Sequence, residues 1–84
     1  RPCFYKGTFT VEIPADTYLD VSGWGMGEVW VNGHYAGSYW EQNAQQSIQL
    51  PAETLQKGAN SLTVFELKSN GKRTMRLSDK AIFN

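Results

Sequence analysis

The chain has 84 residues, in which eight Lys and Arg balance eight Asp and Glu, with one Cys and one His. That length holds one domain. The zero net charge argues against a nucleic-acid partner, whose phosphates select a basic excess or stripe, and against an anionic membrane surface.

A lone Cys3 excludes an internal disulfide and a Cys-based zinc site, and a buried, inert thiol is expected there. A lone His34 excludes a His-rich metal centre and leaves a Ser-His-Asp triad without support. Calcium sites leave too weak a trace in sequence to be read either way. No apolar run approaches the ~20 residues that cross a bilayer as a helix. The start, Arg1-Pro2-Cys3-Phe4-Tyr5, shows neither an initiator Met nor the apolar core of a signal peptide, so the chain reads as a piece of a longer protein.

Helical periodicity is almost absent, and short β-branched and aromatic runs alternate with Gly, Asn, Pro and Asp. The first predicted strand covers Phe4 to Ile13, with Phe9, Val11 and Ile13 on one face, and Pro14 stops it because proline cannot donate to a ladder. Thr17 to Val21 is the second, with Leu19 and Val21 sharing a face. A glycine-rich connection, Ser22 to Gly27, leads to the clearest local signal. There Glu28-Val29-Trp30-Val31 and His34 to Tyr39 flank Asn32-Gly33, whose residue types suit the two positive φ angles of a type I′ hairpin.

Trp40 to Ala44 reads as a loop and Gln46 to Leu50 as a strand ended by Pro51. Pro51 to Leu55 suits a single helical turn, and Lys57 to Asn60 a return turn. Ser61 to Leu67 is a strong strand, with Leu62 and Val64 on one face. A tight turn at Ser69 to Lys72, a strand at Thr74 to Leu77 and a short one at Ala81 to Phe83 complete the series. Six to eight short antiparallel strands make this an all-β sandwich or barrel, and the lack of crossover helices excludes a parallel α/β fold.

Gly23-Trp24-Gly25-Met26-Gly27-Glu28 begins like a dinucleotide fingerprint, but Glu28 replaces the third glycine and a strand follows in place of a helix. A tight connection that swings Trp24 across the sheet is the simpler reading. Asp16 and Asp20 lie about 13 Å apart on one strand at ~3.3 Å per residue. That exceeds the ~5–9.5 Å working range of glycosidase carboxyl pairs, so both read as solvated or turn-capping groups.

Aromatic residues leave more open. Trp30, in mid-strand, is expected in the core. Trp24, Tyr35, Tyr39 and Trp40 sit in or beside loops near the hairpin, where core packing, an interdomain contact and stacking on a sugar are all open. Asn32 and His34 are neighbouring hydrogen-bonding candidates for the same contacts.

Asp16-Thr17-Tyr18-Leu19-Asp20-Val21-Ser22-Gly23-Trp24-Gly25 resembles the D-T-F-L-D-x-S-G-W-G segment of family 35 β-galactosidases, and Gly27 to His34 continues it as G-x-V-W-V-N-G-H. Gly37-Ser38-Tyr39-Trp40, Gln45-Gln46, Leu50-Pro51, Lys57 to Asn60 and Val64 to Leu67 resemble later motifs of that family, with the spacing kept. Ser38 stands where the family usually has Arg, Met26 where a basic residue is frequent, and Asn43-Ala44 where Gly-Pro is usual.

The resemblance implies a C-terminal jelly-roll, galactose-binding-like domain that is non-catalytic, because the family's two catalytic glutamates lie on a separate barrel whose segments nothing here matches. It implies no cofactor. The implied partners are the other domains of the parent enzyme and a β-galactoside. The implied parent is a retaining glycoside hydrolase that is secreted, periplasmic or lysosomal. A full jelly roll has about eight strands. A piece lacking one or two at its N-terminal side leaves an uncapped edge, and an edge-paired or strand-swapped homodimer is then expected of the isolated chain.

Overall fold

A computed structural model describes residues 2–68 and 74–83. Seven strands form in chain order: β1 (Cys3–Val11), β2 (Thr17–Asp20), β3 (Met26–Val31), β4 (His34–Trp40), β5 (Ser47–Leu50), β6 (Gly58–Glu66) and β7 (Arg76–Ser78). They make a four-stranded sheet, β1-β6-β3-β4, and a three-stranded sheet, β5-β2-β7, with antiparallel pairing throughout. The chain passes from one sheet to the other at most connections, so the all-β sandwich expected from the turn spacing is the fold.

Alternation decides what each strand buries. Val29 and Val31 on β3, Val64 on β6 and Tyr39 on β4 face inward from the larger sheet. Leu19, Val21, Ile48 and Leu50 meet them from the smaller sheet, and Trp24 and Leu55 join from connections. Each fully buried aliphatic side chain contributes about 1.5–3 kcal/mol relative to exposure.

The β3–β4 hairpin turns at Asn32 (φ 52°) and Gly33 (φ 80°), the two positive angles that the Asn-Gly pair was expected to supply. Asn32 is also a structural tie. Its Nδ2 donates to the Thr54 carbonyl and to Asn60 Oδ1, and its Oδ1 accepts from Ser61 N. A Cβ at Gly33 would stand in open space, so Gly33→Val tests backbone strain alone. It is expected to cost more than ~1 kcal/mol, because a β-branched residue resists positive φ. An unchanged urea midpoint would contradict that turn.

Four expectations need correction. β1 stops at Val11 and leaves Ile13 82% exposed, because Pro14 follows too closely for Ile13 to join the ladder. Cys3 is exposed, not buried, since it begins an edge strand. The return turn is shorter than Lys57 to Asn60: Gly58, Ala59 and Asn60 already pair with Val11, Thr10 and Phe9. Trp30 alternates against the inward Val29 and Val31 and therefore lies on the outer face of the larger sheet.

The helical turn appears as a 3-10 turn at Ala52–Thr54. The final strand reduces to one bridge between Gln45 and Phe83. The turn expected at Ser69 to Lys72 lies outside the described residues.

Candidate functional site

The six candidate residues do not converge on one site. Trp24 and Tyr39 are core residues, with the rings edge-to-face at 6.4 Å between centroids, and the Trp24 indole N–H donates to the Thr74 carbonyl at 3.0 Å. Asn32 is held at the hairpin by the bonds described above, and His34 is exposed beside it. Tyr35 (57% exposed) and Trp40 (43%) stand on the outer face of the four-stranded sheet.

Two arrangements emerge instead, each joining one of these residues, Tyr39 or Tyr35, to partners that the sequence reading did not single out for a site. The first is internal. Glu66, fully buried at the end of β6, accepts from Gly25 N (3.3 Å) and the Tyr39 hydroxyl (2.6 Å) on one oxygen, and from Met26 N (3.3 Å) and Lys68 N (3.0 Å) on the other. It clamps the glycine-rich connection to the sheet. Gly27 must lack a side chain there, because a Cβ would fall 2.1 Å from the Phe65 carbonyl oxygen and 2.5 Å from the Tyr39 hydroxyl. The signal was available in the sequence, since Glu66 is in phase with Leu62 and Val64 on one strand.

Burial first, then the hydrogen bond to Glu66 and its charge, push the Tyr39 phenol above the ordinary tyrosine value of 10.0. Tyr39 thus stays a donor in the fold at pH values where the unfolded chain loses that proton. A folded pKa above the unfolded one gives stability that is complete below about pH 10 and lost as pH rises beyond it. Urea midpoints are therefore expected to fall above pH ~10, and Tyr39→Phe should make that fall shallower. An identical slope in the variant would show that Tyr39 does not carry it.

The second arrangement is external. Register aligns Lys6, Thr63, Trp30 and Tyr35 in one row across β1, β6, β3 and β4, and Phe4, Phe65, Glu28 and Ser38 in the next. Phe4 and Phe65 stack at 4.5 Å, Trp30 and Tyr35 meet edge-to-face at 5.8 Å, and the Tyr35 hydroxyl donates to Glu28. That bond, ahead of burial and the charge of Glu28, raises the Tyr35 phenol above its ordinary value. An open groove of about 460 Å³ runs between Phe4, Lys6, Trp30 and Thr63. The result is an apolar, ring-lined surface with a cation and a carboxylate set into it.

Asp16 Oδ1 accepts from Ala52 N and Asp20 Oδ1 from Ser22 N, the turn-capping role expected of them. Among the described residues no group of three or more His, Cys, Asp and Glu is placed to hold a metal ion.

The family described as "Beta-galactosidase, galactose-binding domain" matches residues 2–60. The chain is 38% identical over 66 residues to the human β-galactosidase-1-like protein 2, covering 77% of this chain and 10% of the relative. It is 40% identical over 73 residues to β-galactosidase 17 of Arabidopsis thaliana, covering 82% and 10%. Against the β-galactosidase of Mus musculus it is 36% identical over 74 residues, covering 80% and 11%. The chain thus spans about a tenth of the length of these relatives. With its sandwich, its Gly-Trp-Gly connection and its Asn-Gly hairpin in the matched segment, the chain belongs to the galactose-binding domain family of β-galactosidases.

Proposed function

We propose that the chain is one non-catalytic β-sandwich domain of a larger β-galactosidase, where it packs against the catalytic barrel and shapes the entrance to its pocket. The observation that carries this reading is the match to β-galactosidases of which it spans about a tenth. The internal chemistry agrees with it. Glu66, a fully buried carboxylate, is engaged by four internal donors. The parent then releases terminal β-linked galactose with retention, through carboxylates on another domain.

The test uses the full-length polypeptide that carries this segment. Hydrolysis of a nitrophenyl β-galactoside is expected, and deletion of the segment should lower both that activity and the thermal midpoint of the remainder. A fully active, equally stable deletion variant would overturn the bracing role.

The exposed Tyr35, set edge-to-face against a half-buried Trp30, favours a second reading, in which the domain itself holds a galactoside through exposed aromatics. Titration of tryptophan fluorescence with galactose and lactose separates the two. Saturation supports the binding module, and a flat response to millimolar sugar supports the bracing domain.

A further inference from the structure

We propose that the outer face of the four-stranded sheet is the surface by which this domain docks onto the rest of its parent polypeptide, an inference that rests on the reading of the chain as one domain of a β-galactosidase. Sheet faces turned to water normally carry polar residues in alternation with the buried ones. Here the outward positions hold Phe4, Phe65, Trp30 and Tyr35, and the next row adds Trp40 opposite Met26. Phe4 is 60% exposed and Tyr35 57%. Trp30 and Phe65 are half-buried beside them, and the exposed rings leave an apolar surface of the kind that marks an interaction site.

Its size selects the occupant. Four strands at ~4.8 Å spacing and three rows, each two residues (~6.8 Å) from the next, give a footprint of about 14 by 14 Å. That is larger than one sugar ring needs, since a single ring covers only one or two of these positions. It is well below the ~800 Å² per partner of a stable free-standing complex, so a second copy is poorly served. A covalently linked domain needs less area, because the linker supplies a high effective concentration. Relatives about ten times as long as the matched segment provide such a domain. The polar groups fit the same partner. Lys6 lies at the edge of the patch, and Glu28, held by Tyr35, asks for an apolar surface bearing a donor or cation opposite it.

Hydroxyl-radical footprinting of the full-length polypeptide tests this, with two tyrosines of the same chain as internal references. In the sandwich alone Tyr35 is exposed and Tyr39 is buried, with 4% of its surface exposed. Docking is expected to bring the oxidation rate of Tyr35 to within about twofold of that of Tyr39, because the core of an interface excludes water. Trp30 should slow to the rate of Trp24. Oxidation of Tyr35 clearly faster than that margin overturns the proposal, as does protection that appears only with added galactose or only at high protein concentration. The two readings fail separately. If deletion of the segment weakens the enzyme while Tyr35 oxidises fast, the domain docks by another face. If Tyr35 is protected in a polypeptide with no galactosidase activity, the docking face stands and the parent's activity is misassigned.

Discussion

Glu66→Ala is expected to remove a large part of the stability of the fold. The carboxylate receives the Tyr39 hydroxyl and the backbone N–H groups of Gly25, Met26 and Lys68 in a site closed to water. Each donor left buried without an acceptor costs about 1–3 kcal/mol. Two of the four bonds are only partly buried and some donors will regain water as the glycine-rich connection relaxes, so a loss of about 3–5 kcal/mol is the consistent figure. A chain of this size has only about 4–13 kcal/mol in total, at ~0.05–0.15 kcal/mol per residue. Glu41→Ala is the control. Glu41 pairs with the Lys68 ammonium at 2.8 Å, but on the surface, where such pairs contribute about 0–1 kcal/mol. Urea unfolding followed by circular dichroism reads both variants. A Glu66→Ala loss no larger than that of Glu41→Ala would show that the clamp does not hold the connection.

Much of this architecture was legible in the residues, and the parts that were not share a cause. Asn32-Gly33 specified its turn because the chemistry is local: two positive φ angles suit few residue pairs. Pro14, Pro51 and the Gly-rich connection bounded strands for the same kind of reason. Which face of a strand turns inward is not local. Val29-Trp30-Val31 is apolar throughout, so period-two alternation leaves two phases open, and a mid-strand position alone does not place Trp30 in the core. Only the approach of the second sheet decides it.

Glu66 presents the converse case. Its phase with Leu62 and Val64 pointed inward, while its charge pointed outward, and four donors brought by distant segments settled the conflict. The outer aromatic patch was hidden for the same reason. Phe4, Phe65 and the hairpin pair Trp30–Tyr35 are far apart in sequence, and neighbouring register brings these three parts together.

Trp24→Ala is expected to cost about 3–5 kcal/mol, the range for truncating a buried Trp or Phe. Trp24 ties three parts of the fold at once. Its ring meets Tyr5 of β1 at 5.3 Å and 90°, and Tyr39 of β4 at 6.4 Å and 83°. Its indole N–H holds the Thr74 carbonyl, two residues before β7. Truncation therefore leaves a cavity between the sheets and an unpaired carbonyl beside the three-residue edge strand of the smaller sheet. Two comparisons separate these effects. Trp24→Phe keeps a ring but loses the hydrogen bond, and it should cost part of the full amount and expose the amides of β7 to faster hydrogen exchange. Trp40→Ala, on the outer face, should stay within about 1 kcal/mol, because surface truncations away from special features rarely exceed that. If Trp24→Ala instead costs no more than Trp40→Ala, the Gly-Trp-Gly connection is not anchored in the core. The clamp at Glu66 would then have to hold it alone.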